Sequence, residues 1–242
     1  MKSKIKKIFI FSLISFIFQL SVYANESIYN ISISPTEKTN SIKFDISTGW
    51  GTRYVPPKWA TGTEIWMGSS YGITDNLFVK GSGGYNLSSG AGGFKLDTGY
   101  KVYDKNLLQV TIVGSLLRET TGIYATDFNI IVSKTINNIN LISNNLFEKA
   151  FAENRDGVDW NLTFGASYSL NIFNIGLEYI GEDIEDMWED EEAEGGANNL
   201  FGMLLSVEMD KYGFSLTPGY SIGPRPETKN SFIILSKFWV TL

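Results

Sequence analysis

The stretch VDWNLTFGASYSL, Val158 to Leu170, alternates apolar and polar residues without a break. Val158, Trp160, Leu162, Phe164, Ala166, Tyr168 and Leu170 take one side. Asp159, Asn161, Thr163, Gly165, Ser167 and Ser169 take the other. A helical stripe needs apolar residues three and four positions apart. An unbroken period of two therefore reads as a strand with one greasy and one hydrophilic face.

The same rhythm recurs on both sides of this stretch. SIKFDIS sets Ile42, Phe44 and Ile46 against Lys43, Asp45 and Ser47. FKLDTGYKVY sets Phe94, Leu96, Tyr100 and Val102 against Lys95, Asp97, Gly99 and Lys101. In IFNIGLEYI, Phe173, Ile175, Leu177 and Tyr179 oppose Asn174, Gly176 and Glu178. In FGMLLSVEM, Phe201, Met203, Leu205, Val207 and Met209 oppose Gly202, Ser206 and Glu208. Fainter segments near 61–71, 76–87, 107–118, 122–134, 138–147 and 212–222, with the C-terminal run, bring the count to about twelve strands. Short turn signals at 72–76, 103–106, 136–138, 170–171 and 210–213 alternate with mostly longer links at 52–60, 88–92, 119–121, 148–157, 182–198 and 223–230. Short and long connections in turn, over an even strand count, fit a barrel with tight turns on one side of a membrane and longer loops on the other. The expected fold class is all-β: a transmembrane up-and-down antiparallel β-barrel of about twelve strands, covering 41–242.

The N-terminal residues point to export. Lys2, Lys4, Lys6 and Lys7 precede an uncharged run from Ile8 to Leu20, and Val22-Tyr23-Ala24 matches a signal-peptidase site. Residues 1–24 are expected to be a signal peptide and 25–40 a periplasmic leader. The 1–24 segment carries four lysines and no acid, so its removal makes the formal net charge of −6 more negative still. Such a chain offers no basic footprint for nucleic acid. There is no Cys and no His. Disulfides and thiolate chemistry are excluded, and the commonest general base and metal ligand are missing. No catalytic residue, metal site or cofactor is expected. The glycine-rich GSGGYNLSSGAGG (81–93) lacks the Lys-Ser/Thr of a phosphate-binding loop.

In SFIILSKFWVTL, Phe232, Ile234, Phe238, Val240 and Leu242 alternate to the last residue. Here the sequence resembles the closing strand of Gram-negative outer-membrane β-barrel proteins of the porin-like kind. That resemblance implies residence in the cell outer membrane, contact with its lipid and lipopolysaccharide, and recognition of the terminal strand by the barrel assembly machinery. The group commonly ends on an aromatic residue, where this chain ends on Leu242. Phospholipases and lipid A deacylases of the group use Ser with His, and its surface proteases use Asp with His. Without a His, none of that chemistry carries over.

A membrane also explains which face is which. The apolar sides carry large Phe, Leu, Ile, Trp and Tyr, while the opposing sides carry Gly, Ser, Thr and Asn mixed with charge. Lipid accepts no hydrogen bonds, so the sheet must close and turn its hydrophilic side inward. Trp50, Trp160, Tyr71, Tyr103, Tyr168 and Tyr212 fall near strand ends, where interfacial girdles belong. Trp160 and Tyr168 stand roughly 26 Å apart along their strand, or about 20 Å once it tilts, near the height of the apolar band.

The inward face supplies the candidate pore-lining residues Glu64, Lys80, Lys95, Asp97, Lys101, Asp127, Glu178 and Glu208. They either line a narrow polar pore or pair across the lumen and fill it. A second candidate is EDIEDMWEDEEAEGG, which holds nine carboxylates between Glu182 and Glu194. Ile184, Met187 and Trp188 share one helical face there, with Glu189, Asp190 and Glu191 beside them, and these six are the candidate gate of an outside loop. The same segment also reads as a solvated surface loop, or as a divalent-cation binder without EF-hand spacing. The function expected is a narrow passive channel for small hydrophilic solutes. The alternatives are a closed structural or adhesive barrel whose loops bind surface partners, and a soluble periplasmic barrel holding an apolar ligand.

Overall fold

The computed structural model describes residues 39–51, 62–87, 90–152, 157–182, 198–209, 211–222 and 231–242. Its strands are β1 (Ile42–Gly51), β2 (Gly62–Gly72), β3 (Leu77–Asn86), β4 (Gly92–Lys105), β5 (Leu108–Glu119) and β6 (Tyr124–Ile136). They continue as β7 (Ile139–Ala150), β8 (Asp159–Leu170), β9 (Phe173–Glu182), β10 (Asn198–Glu208), β11 (Tyr212–Ile222) and β12 (Ser231–Thr241). Every strand pairs antiparallel with its sequence neighbours, and the sheet closes where β1 meets β12 from Lys43↔Thr241 to Gly51↔Ile233. Closure leaves no sheet edge to satisfy, which is the condition for a β structure in lipid. The strand number is the one counted from the sequence. The expected signal peptide and most of the leader lie outside the described residues.

The turns differ in detail from the sequence reading. The turn expected at 103–106 comes later, because β4 runs on to Lys105 through a bulge between Lys101 and Tyr103. Asn106 and Leu107, with φ of 53° and 62°, then form the connection. Positive φ at both central positions gives a hairpin turn whose twist matches its strands. The polar Asp104 and Lys105 suggested a loop, yet their registered partners Gln109 and Leu108 hold them in the ladder. Likewise β7 extends to Ala150, beyond the expected start of its outer link at 148. Ahead of β1, the Thr39 hydroxyl and amide donate to Asp75 in the first short turn and hold its carboxyl below the usual range.

The outer surface is greasy. Phe44, Met67, Phe94, Leu96, Leu116 and Leu177 are all exposed. An apolar belt of this extent is untenable in water and is what the acyl region requires. Trp50 and Trp160 lie toward the long-loop end, with Phe147 stacked on Trp160 at 6.1 Å between ring centroids. Tyr71, Tyr103, Tyr168 and Tyr212 lie toward the short-turn end.

The inward face is less polar than alternation alone implied. Phe78, Val113, Ile131 and Ile142 form one buried cluster, and Ile180, Leu200, Ile233 and Leu235 form another. Runs such as FIIL (232–235) and MLL (203–205) are apolar on both faces. In such runs a period-two reading finds the strand but cannot divide its two sides. Leu204 and Leu235, at 2% and 0% exposure, are the clearest interior cases.

The lumen wall as candidate functional site

Charged side chains climb the inner wall as a ladder set by strand register. From the short-turn end, Lys43 of β1 pairs with Ser70, Ser70 with Lys80, and Lys80 with Asp97. The row continues through Ser115, Asp127 and Glu148 to Asp159, the first residue of β8 at the long-loop end. Residues directly opposite across an antiparallel pair share a face, so one charged residue inside commits the whole row. Strand tilt turns that row into a path from one mouth to the other.

The charges on this path are largely compensated. Lys95 lies 2.9 Å from Asp127 and 3.9 Å from Asp97. Asp45 lies 3.5 Å from Lys80 and 4.0 Å from Lys237. Lys101 reaches Asp104 at 2.8 Å near the short-turn rim. Glu64 accepts from the Trp66 indole. Glu208 ends β10 and is exposed at the rim. Glu178 is buried in the middle of β9. All eight sequence-derived candidates thus sit on the inward register, six within the lumen and Lys101 and Glu208 near the rim. The gate candidates Ile184, Met187, Trp188, Glu189, Asp190 and Glu191 lie outside the described residues.

A neutral chain that sequence reading passed over runs near the short-turn end from β6 to β10. Thr135 donates to Asn140, Asn140 to Ser169, Ser169 to Asn174 and Asn174 to Ser206, at 2.6–3.1 Å. By register it continues to Ser215 and Lys237. The only signal in the sequence was a polar residue at each of these inward positions. Linked together, these groups keep a buried wall hydrophilic at little cost.

Three interior rings lie flat on glycines. A Cβ on Gly84 would fall 2.1 Å from Trp66, one on Gly99 2.1 Å from Phe78, and one on Gly213 2.0 Å from Trp239. Only a missing side chain lets each ring lie against the wall instead of projecting across the lumen. Gly99→Val is expected to push Phe78 off the wall and to destabilise the barrel by about 1–3 kcal/mol, the usual cost of overpacking. Gly114→Ala, where a Cβ meets nothing within 4 Å, should cost far less. Urea unfolding of both variants in lipid vesicles checks the contrast.

A closed twelve-stranded barrel, apolar outside and charged along its inner wall, has the architecture of an outer-membrane β-barrel. No family model matches the chain, and no curated protein matches it in sequence. Among solved structures it is similar to the KdgM porin in complex with disordered oligogalacturonate, with a TM-score of 0.57, 9% identity, and coverage of 82% of this chain and 98% of that one. It is similar also to the NanC porin, with a TM-score of 0.58, 12% identity, and coverage of 81% and 98%. At these identities the likeness is one of fold.

Proposed function

We propose that the barrel is a narrow passive channel for small hydrophilic solutes across the outer membrane. The observation that carries this reading is the ladder from Lys43 to Asp159, which places ionisable or hydroxyl side chains at each strand between the two mouths. Pore selectivity is built from such side chains at close range. Lys80 and Lys95 keep 18% and 13% of their side-chain surface exposed while facing inward, which supports a thin passage beside them. The fold shared with two porins supports it too. In the same reading no catalytic role is assigned, β12 is the strand offered to the assembly machinery, and the exterior meets lipid and lipopolysaccharide.

The two interior apolar clusters favour the competing reading, a closed structural barrel with adhesive loops. Planar-bilayer recording separates the two. A channel gives stepwise current from the purified folded protein, with small steps as the packed wall requires. Silence from protein shown to be folded and inserted would overturn the channel and leave the structural barrel standing.

A further inference from the structure

Glu178 stands apart from the compensated charges of the wall. It faces inward at 4% exposure, and neither of its carboxylate oxygens has a hydrogen-bond partner. The Thr217 hydroxyl reaches toward it from β11. Its registered neighbours on both sides are glycines, Gly165 on β8 and Gly202 on β10. The two glycines set no side chain beside it, and Thr217 reaches over Gly202 from β11, so the carboxylate sits in a recess bounded on that side by Thr217. Toward the long-loop end the recess is bounded by the cluster of Ile180, Leu200, Ile233 and Leu235. Toward the short-turn end lies the hydrogen-bonded chain at Asn174 and Ser206. The Thr163 hydroxyl, opposite Ile180, is a second buried oxygen without a partner.

A carboxylate withdrawn from water with no cation beside it is among the costlier features a fold can keep. Packing alone would be served as well by glutamine or leucine. A positive ion passing through the lumen supplies what the neighbouring strands do not. We propose that the Glu178 recess binds a small monovalent cation, and that the lumen passes such cations in preference to anions. This rests on the channel reading above.

The donor set fixes the class. One carboxylate with nearby hydroxyls suits a weakly held monovalent ion, whereas a chelated divalent ion needs several ligands. Among the described residues no three acidic or imidazole groups converge on a metal site. An anionic sugar, such as the oligogalacturonate of the KdgM complex, asks for the opposite wall. Carboxylates are held best by the guanidinium fork. The one arginine among the described residues, Arg118, instead lies outside over the Tyr124 ring.

Reversal potentials of the purified full barrel under a potassium chloride gradient test the proposal. The wild type should reverse on the potassium side. Glu178→Gln, which keeps the shape, should move the reversal toward zero, and Glu178→Asp should keep the wild-type sign. Chloride preference, absence of preference, or a Glu178→Gln channel as cation-selective as the wild type would overturn this inference while leaving the channel intact. Silence from all three inserted proteins would end the channel reading, and this inference with it.

Discussion

Arginine in place of Leu177 is expected to destabilise the folded barrel in a bilayer by about 2–4 kcal/mol. Leu177 sits in the middle of β9, 69% exposed, with Ala166 and Met203 as its registered neighbours. A guanidinium there finds neither water nor a counter-charge, and the penalty grows with depth in the acyl region. Leu170→Arg is the matching control. Leu170 ends β8 beside a short turn and is also exposed, so its substitution should cost about 0–1 kcal/mol because an interfacial arginine can reach water. Reversible urea unfolding in phospholipid vesicles, followed by tryptophan fluorescence, measures both. Equal and negligible costs would mean that this face meets water, and a soluble barrel would then replace the membrane one.

Why so much of the barrel was legible follows from the same face. Lipid tolerates one kind of exterior, so Trp160, Leu162, Phe164, Ala166 and Tyr168 had to alternate with small or polar residues, and the period survives in the sequence. Charge was informative for a related reason. Lys95, Asp97 and Asp127 have no tolerable place except inside, so their inward direction could be read one strand at a time. Their meeting could not, because the Lys95–Asp127 contact depends on the register of three strands. The interior leucines were hidden for the opposite reason. Leu204 and Leu235 are acceptable on either face, and only closure of the sheet chooses between them. Glu178 was visible as an inward carboxylate. Its isolation came from Gly165 and Gly202 on neighbouring strands, and no pattern within β9 announces that.

The second large effect concerns what the lumen contains. Lys95→Met should destabilise the barrel by about 3–5 kcal/mol, the usual result of breaking a buried pair from one side. The Asp127 side chain is only 2% exposed, its Oδ2 is held by Lys95 at 2.9 Å, and its Oδ1 already lacks a hydrogen-bond partner. With the ammonium gone, a buried carboxylate is left without compensation. Adding Asp127→Leu should restore stability to near the wild-type value, since a packed apolar pair often equals or exceeds a buried ionic one. With the wild type and the Asp127→Leu single variant, these two proteins form a double-mutant cycle whose coupling measures the interaction of the pair. That coupling also reports on water. In a broad aqueous bore the pair would behave like an exposed one, worth about 0–1 kcal/mol, and Lys95→Met would be nearly silent. A large coupling means that the passage is narrow and mostly dry at this level, so that an ion crossing it must lose part of its hydration shell to the wall. In such a passage the sign of an uncompensated wall charge decides which ions cross, whereas in a wide wet bore screening would blunt it.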